Sequence, residues 1–292
     1  MPRLCALLIL LFAAPGYTVR QPVLNSTLVL HASPRTAGAI DSLVFRGREF
    51  VNAFDHGREW QSAVSYDGFG ECLNPTEAGS KKDGPGPDSS SQLLDARAGD
   101  AVLSTTVRMA FWLAPDEAYK PACGQHKDVH IAQNNEVVST DTLLKRVAVG
   151  YREMPNVIEY LVTLNVGEPH QTMVFEALTG YMPPEFSLFL TFDPATSQIA
   201  PLSDSPGEQP LPVIVSTKDR QFAVGVYSPD PNPGYGRFLF TQNPRLKGWN
   251  TSKWNCVFRA GAVRPGPVTH HCFIALGTVD EVQAALRNLI KG

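Results

Sequence analysis

Short apolar runs rich in Val, Ile, Leu, Phe and Thr recur along the chain, each bounded by turn residues, and they limit the possible folds more than any other feature. They occupy residues 27–31, 42–45, 50–54, 101–113, 128–131, 144–151, 157–165, 170–178, 186–192, 212–216 and 222–227. Most have the length of strands rather than helices. With 24 prolines and 23 glycines in 292 residues to supply turns, the runs predict an all-β, antiparallel body. Arg46-Gly47, between SLVF and REFVN, predicts a tight hairpin turn, because Gly accepts the positive φ such turns need. The 157–165 run does not alternate cleanly, which predicts a strand buried on much of both faces. One helix stands out. Thr278 and Glu281 have capping-box spacing, and Val282, Ala285, Leu286 and Leu289 follow at helical intervals. This predicts a short C-terminal helix docked on a sheet. With no internal repeat and no linker, residues 17–292 read as one domain.

Residues 1–16 read as a signal peptide. Arg3 precedes an apolar run over 4–14, then Pro15 and Gly16. The run is far shorter than the ~20 residues a spanning helix needs. The expectation is a secreted protein, extracellular or periplasmic, with no membrane contact once the signal is removed. Cysteine usage agrees. Cys5 leaves with the signal and four remain, an even number that favours two disulfides with three connectivities open. Cys256 and Cys272 lie in apolar runs either side of a Pro/Gly turn, so they are expected to pair, leaving Cys72 with Cys123; the alternative is buried free thiols. Asn25-Ser26-Thr27 and Asn250-Thr251-Ser252 match the glycosylation acceptor pattern. A formal net charge of −3 and a pI near 6.2 leave no footprint for nucleic acid or anionic lipid. Nothing in the sequence bears on oligomeric state.

Residues 39–63 read AIDSLVFRGREFVNAFDHGREWQSA. A small residue, an apolar strand, a Gly turn, then EFVN, DHGR and QS resemble the galactose-mutarotase-like superfamily, and the resemblance extends over residues 39–79. It implies a large antiparallel β-supersandwich that binds sugar in the cleft of one curved sheet. Members include aldose epimerases, and related sandwiches occur in polysaccharide lyases and glycoside hydrolases. The implied partner is therefore a carbohydrate. Epimerases of the group use a His as acid and a Glu as base across the sugar ring.

The polar density of residues 55–79 makes it the candidate site. Arg58 and Asn74 could fork onto hydroxyls or a carboxylate, Trp60 could cover the C–H face of a sugar, and His56, Glu71 and Glu77 could move protons. His130 and His170 are further candidates for the acid. His170 shares strand parity with Glu176, and Tyr181 lies on the same segment. The expected catalytic set is thus His56, Glu71, Glu77, His130, His170 and Glu176, with Arg58, Trp60, Asn74 and Tyr181 as binding residues. Residues 78–91, almost without apolar side chains, read as a long solvated loop able to cover a ligand. The chain departs from the epimerase pattern in lacking a late Glu: after Phe222 the acids are Asp230, Asp280 and Glu281.

No metal or cofactor is expected. His126 and His130 are four apart but lack an HExxH context or a third ligand, and neither a phosphate loop nor a GxGxxG stretch is present. Three function classes stay open: a carbohydrate-active enzyme working by acid/base chemistry, a non-catalytic glycan-binding protein, and a structural β-sandwich.

Overall fold

The computed structural model describes residues 16–241 and 250–291; apart from Gly16, the expected signal peptide lies outside the described residues. The strands pair antiparallel in two facing sheets. One runs edge to edge as Gln198–Pro201, Leu188–Asp193, Val213–Ser216, Ala223–Tyr227, Gly266–Gly277, Met154–Val166, Val138–Tyr151, Val102–Phe111 and Gln92–Gly99. The other runs as Gly207–Gln209, Gly234–Phe240, Thr251–Val263, His170–Met182, Trp60–Tyr66, Ile40–Phe45, Ser26–Ala32 and Tyr17–Val23. The short strand Pro75–Thr76 pairs with both Trp60–Tyr66 and Val102–Phe111, joining the sheets at one margin. The architecture is the all-β antiparallel sandwich with a C-terminal helix that the sequence predicts.

Alternation along the strands decides what fills the space between the sheets. In Met154–Val166, Ile158, Tyr160, Val162 and Leu164 point into the core, while Glu159, Leu161 and Thr163 keep solvent access. The expectation of burial on both faces is corrected here, because this sheet leaves its other face open over those residues. The helix Val279–Lys291 covers a different part of that face. Val282, Leu286 and Leu289 pack on Val157, Ile214 and Phe273 as a second core. Its start carries the expected capping box: Thr278 N–H donates to Glu281 Oε2 (2.7 Å) and Glu281 N–H to Thr278 Oγ1 (3.2 Å).

Turn chemistry follows the sequence at Arg46-Gly47, where both residues have positive φ and Phe45 pairs with Arg48. Asn25 is exposed in the two-residue turn between the first two strands. Two expected strands do not form. At 50–54, the Glu49 carboxylate accepts the N–H groups of Phe50 and Val51, and only scattered backbone bonds, Phe50 N–H to Leu43 O (2.9 Å) and Asn52 N–H to Tyr181 O (2.8 Å), stand in for a ladder. At 128–131, Ile131 makes only an isolated bridge to Ala118.

Cys72 and Cys123 are joined, as expected. They anchor a small apolar cluster with Leu113 and Ala132, against which Trp112, Phe69 and Tyr119 pack. Cys256 and Cys272 are not bonded, which corrects the second expected bridge. Their strands lie in opposite sheets, and the two buried sulfurs meet across the core at 2.6 Å. The loop over 78–91 is organised around one carboxylate. Asp83 Oδ2 accepts Ser80 N–H (2.7 Å), Ser90 N–H (2.9 Å) and Ser90 Oγ–H (2.7 Å). Polar composition here produces a hydrogen-bonded cap rather than a structureless segment.

Candidate functional site

A concavity opens on the outer face of three adjacent strands, Trp60–Tyr66, His170–Met182 and Thr251–Val263. It holds a cavity of about 120 Å³, partly open to solvent and lined by Ala63, Glu71, Trp112, Glu176, Tyr181 and Lys253, among others. Strand register places these groups. Ala63 lies opposite Glu176, and Tyr181 opposite Lys253. By simple alternation Glu176 and Tyr181 would point to opposite faces. A β-bulge corrects this: both neighbouring strands slip by one residue around Ala177. The extra residue reverses parity, so Val174 and Glu176 before it and Thr179 and Tyr181 after it all face the cavity. Ser62 Oγ–H donates to the carbonyl of Ala177 at 2.7 Å, satisfying an acceptor the bulge takes out of the ladder. Gly180 sits where a Cβ would meet the Trp254 ring at 2.3 Å, so the bulged strand packs on that indole only with glycine there.

The two carboxyl groups in the cavity stand in different electrostatic surroundings. Glu176 Oε1 accepts from Lys253 Nζ (2.9 Å) and Asn255 Nδ2 (3.2 Å), two donors that fix it in place. Glu71, on the 3-10 turn Gly70–Leu73, makes no protein hydrogen bond among the described residues. Glu71 is an exposed residue, yet the walls around its carboxyl and the nearby Glu176 displace its pKa upward, against the pull of Lys253 and Lys81. Burial opposes the charge on Lys253, but Glu176, Tyr181 and Glu71 outweigh it and hold the ammonium far above its usual pKa. Burial also raises the Tyr181 phenol, keeping it protonated. The cavity therefore offers one carboxyl biased towards holding its proton, one fixed as an acceptor, a cation and a phenol.

Four of the ten sequence-predicted residues meet here: Glu71, Asn74, Glu176 and Tyr181. Asn74 lies in the wall, its amide nitrogen turned to the Val64 carbonyl at 2.9 Å. The other six are placed elsewhere. His56 is fully buried, with Nδ1 2.7 Å from Gly84 O and Nε2 2.8 Å from Arg35 O, tying the 78–91 cap to the 34–36 turn. Arg58 pairs with Asp55. Trp60 is core, edge-on to Trp254 at 5.2 Å. Glu77 is sealed in an ion pair with Lys145, itself buried, and accepts Ser62 N–H at 2.9 Å. His130 is exposed on the loop beyond Trp112, near Pro121 O. His170 does not join Glu176: it sits six residues away at the start of the strand, its side chain largely buried against the core residue Tyr66. There it stacks on Tyr66 (3.6 Å) and pairs with Asp67 (3.0 Å).

Sequence reasoning missed Lys253, Asn255 and Trp112. The first two alternate around buried Trp254 in SKWNC, a period-2 signal that both face away from the core. Trp112 ends an apolar run and carries no comparable mark. Among the described residues, no group of three or more His, Cys, Asp or Glu side chains could hold a metal ion.

No family model and no curated protein matches the chain. Solved structures do. A proposed aldose 1-epimerase from Escherichia coli K12 is similar over 91% of this chain and 99% of its own, at 10% identity and a TM-score of 0.49. An alpha-mannosidase from Enterococcus faecalis V583 is similar over 94% of this chain and 32% of its own, at 10% identity and 0.48. Heparan sulfate lyase HepC from Pedobacter heparinus is similar over 91% and 35%, at 8% identity and 0.45. The chain thus spans about a third of the mannosidase and of the lyase.

Proposed function

We propose that this is an exported carbohydrate-active protein that takes a sugar into the concavity and works on it by acid/base chemistry. The observation that carries the reading is the pair of carboxyl groups in one cavity, Glu71 disposed to hold a proton and Glu176 held as an acceptor by Lys253 and Asn255. Acid/base catalysis needs one group that can give a proton and another placed to accept one. Glu71 would give its proton to a sugar oxygen as a bond to that oxygen breaks, and Glu176 would accept a proton on the other side. Trp112 supplies an aromatic wall for the C–H face. The names of the similar structures support a sugar ligand, and residues 1–16 with the Cys72–Cys123 disulfide support export.

A glycan panel assayed for both binding and product release tests this, with wild-type protein, Glu71→Gln and Glu176→Gln. Glu71→Gln is expected to bind within a few-fold of wild type and to lose turnover by about 10²–10⁴-fold. Binding without turnover in the wild type would make this a glycan-binding protein instead. No binding to any glycan would sink the carbohydrate reading.

A further inference from the structure

The concave face does not stop at the cavity. Tyr181, Lys253 and Phe238 lie directly opposite one another on three neighbouring strands. The Lys253 ammonium sits between the two rings, 5.4 Å from the Tyr181 centroid and 5.5 Å from that of Phe238. Phe240 lies two residues along the strand from Phe238, and its ring is near-parallel to both neighbours. Centroids are 6.4 Å apart in each pair, with interplanar angles of 22° to Tyr181 and 16° to Phe238. Phe240 is 41% exposed, so its ring is open to a ligand. Three inter-strand steps of about 4.8 Å separate the Trp60–Tyr66 strand from Gly234–Phe240, so the face extends about 14 Å across the strands.

We propose that the ligand is an oligosaccharide, with one unit in the cavity and the following units on an aromatic ledge formed by Tyr181, Phe240 and Phe238. This rests on the carbohydrate reading of the cavity and names the substrate class. A cavity of about 120 Å³ has little room beyond a single sugar ring. Tyr181 belongs to both cavity and ledge, so a chain leaving the cavity passes onto the rings without a gap. Near-parallel rings at repeated spacing offer successive flat apolar faces, and Lys253 between two of them offers a donor to hydroxyls. A buried peptide or lipid tail would call for a continuous apolar groove instead of spaced rings around a cation.

The test is calorimetric binding of maltose-type, cello- and chito-oligosaccharides of one to four units to wild type, Phe240→Ala and Phe240→Tyr. In at least one series affinity should rise roughly tenfold from one to three units. Phe240→Ala should remove most of that gain, about the size of one aromatic contact, and leave monosaccharide affinity unchanged. Phe240→Tyr should keep it. Equal affinity for one and three units, or equal weakening of both by Phe240→Ala, overturns the ledge while leaving the cavity reading intact. A Phe240-dependent dimer in analytical ultracentrifugation also overturns it, since the ring would then serve a second copy. If no glycan of any length binds, cavity and ledge fall together.

Discussion

At the residue scale, burial alone separates three glutamates that look alike in the sequence. Glu77 is buried beside a buried cation, Glu59 is buried without a hydrogen bond to either oxygen, and Glu71 lines a cavity. Removing the charge of Glu77 leaves the Lys145 ammonium buried with neutral acceptors alone among the described residues, an amide oxygen and the Gly38 carbonyl (3.0 Å). Glu77→Gln should therefore destabilise the fold by about 3–5 kcal/mol in urea titration, a cost expected of a structural pair and not of a catalytic group. Glu59 has Arg35 at 3.7 Å as its ion-pair partner, and burial holds its pKa well above the ordinary carboxylate value. A raised folded-state pKa gives stability that is complete below the unfolded value, near 4.5, and lost as pH rises through the folded value. The difference in unfolding free energy between Glu59→Gln and wild type should thus grow in the variant's favour from pH 4.5 upward. A difference that is flat with pH would show that Glu59 is ionised in the fold.

At the element scale, the Cys72–Cys123 bridge carries the wall of the site. It closes a sequence separation of 51 residues and pins the 3-10 turn bearing Glu71 to the loop behind Trp112. Chain-entropy arguments put such a loop at about 4 kcal/mol. Cys72→Ser with Cys123→Ser should cost stability of that order and loosen glycan binding, measured by melting and by calorimetry. Cys256 and Cys272 should behave in the opposite way, staying unlabelled by iodoacetamide until the protein unfolds. Both are fully buried, and burial pushes the Cys272 thiol well above its usual pKa, leaving little thiolate to react. Much of this level was legible in the sequence. Val/Ile/Phe runs marked most strands, the Thr278–Glu281 spacing marked the helix, and cysteine parity gave one bridge. The concave site was legible only in part, because Ala177 carries no mark of a bulge, and without it Glu176 and Tyr181 cannot share a face. His56, Arg58 and Glu77 misled because density in sequence records polar groups near one another, not which way their strands turn them. In this fold they tie loops and sheets together behind the cavity wall.

At the scale of the whole molecule, both sheets depend on strands far apart in sequence. Met154–Val166 and His170–Met182 are consecutive yet lie in opposite sheets, and so do Thr251–Val263 and Gly266–Gly277. Each central pair therefore forms only when the chain has closed a long loop, and the pairs must form together for the sulfurs of Cys256 and Cys272 to meet. The strand Gly266–Gly277 then links the two cores. Cys272, Ile274 and Leu276 face the inter-sheet core, while Phe273 and Ala275 face the helix. With alternate residues of one strand serving both, neither core can melt while the other keeps its packing. Leu286→Ala should remove a fully buried side chain from the helix–sheet core and cost about 2–5 kcal/mol. Its effect should appear as a shift of one common transition. Unfolding in guanidinium followed by tryptophan fluorescence, which senses Trp60 and Trp254 between the sheets, should coincide with unfolding followed by far-ultraviolet circular dichroism, in wild type and variant alike. An earlier dichroism change in Leu286→Ala, with fluorescence unmoved, would mean that the helix melts alone and that the shared strand does not couple the cores.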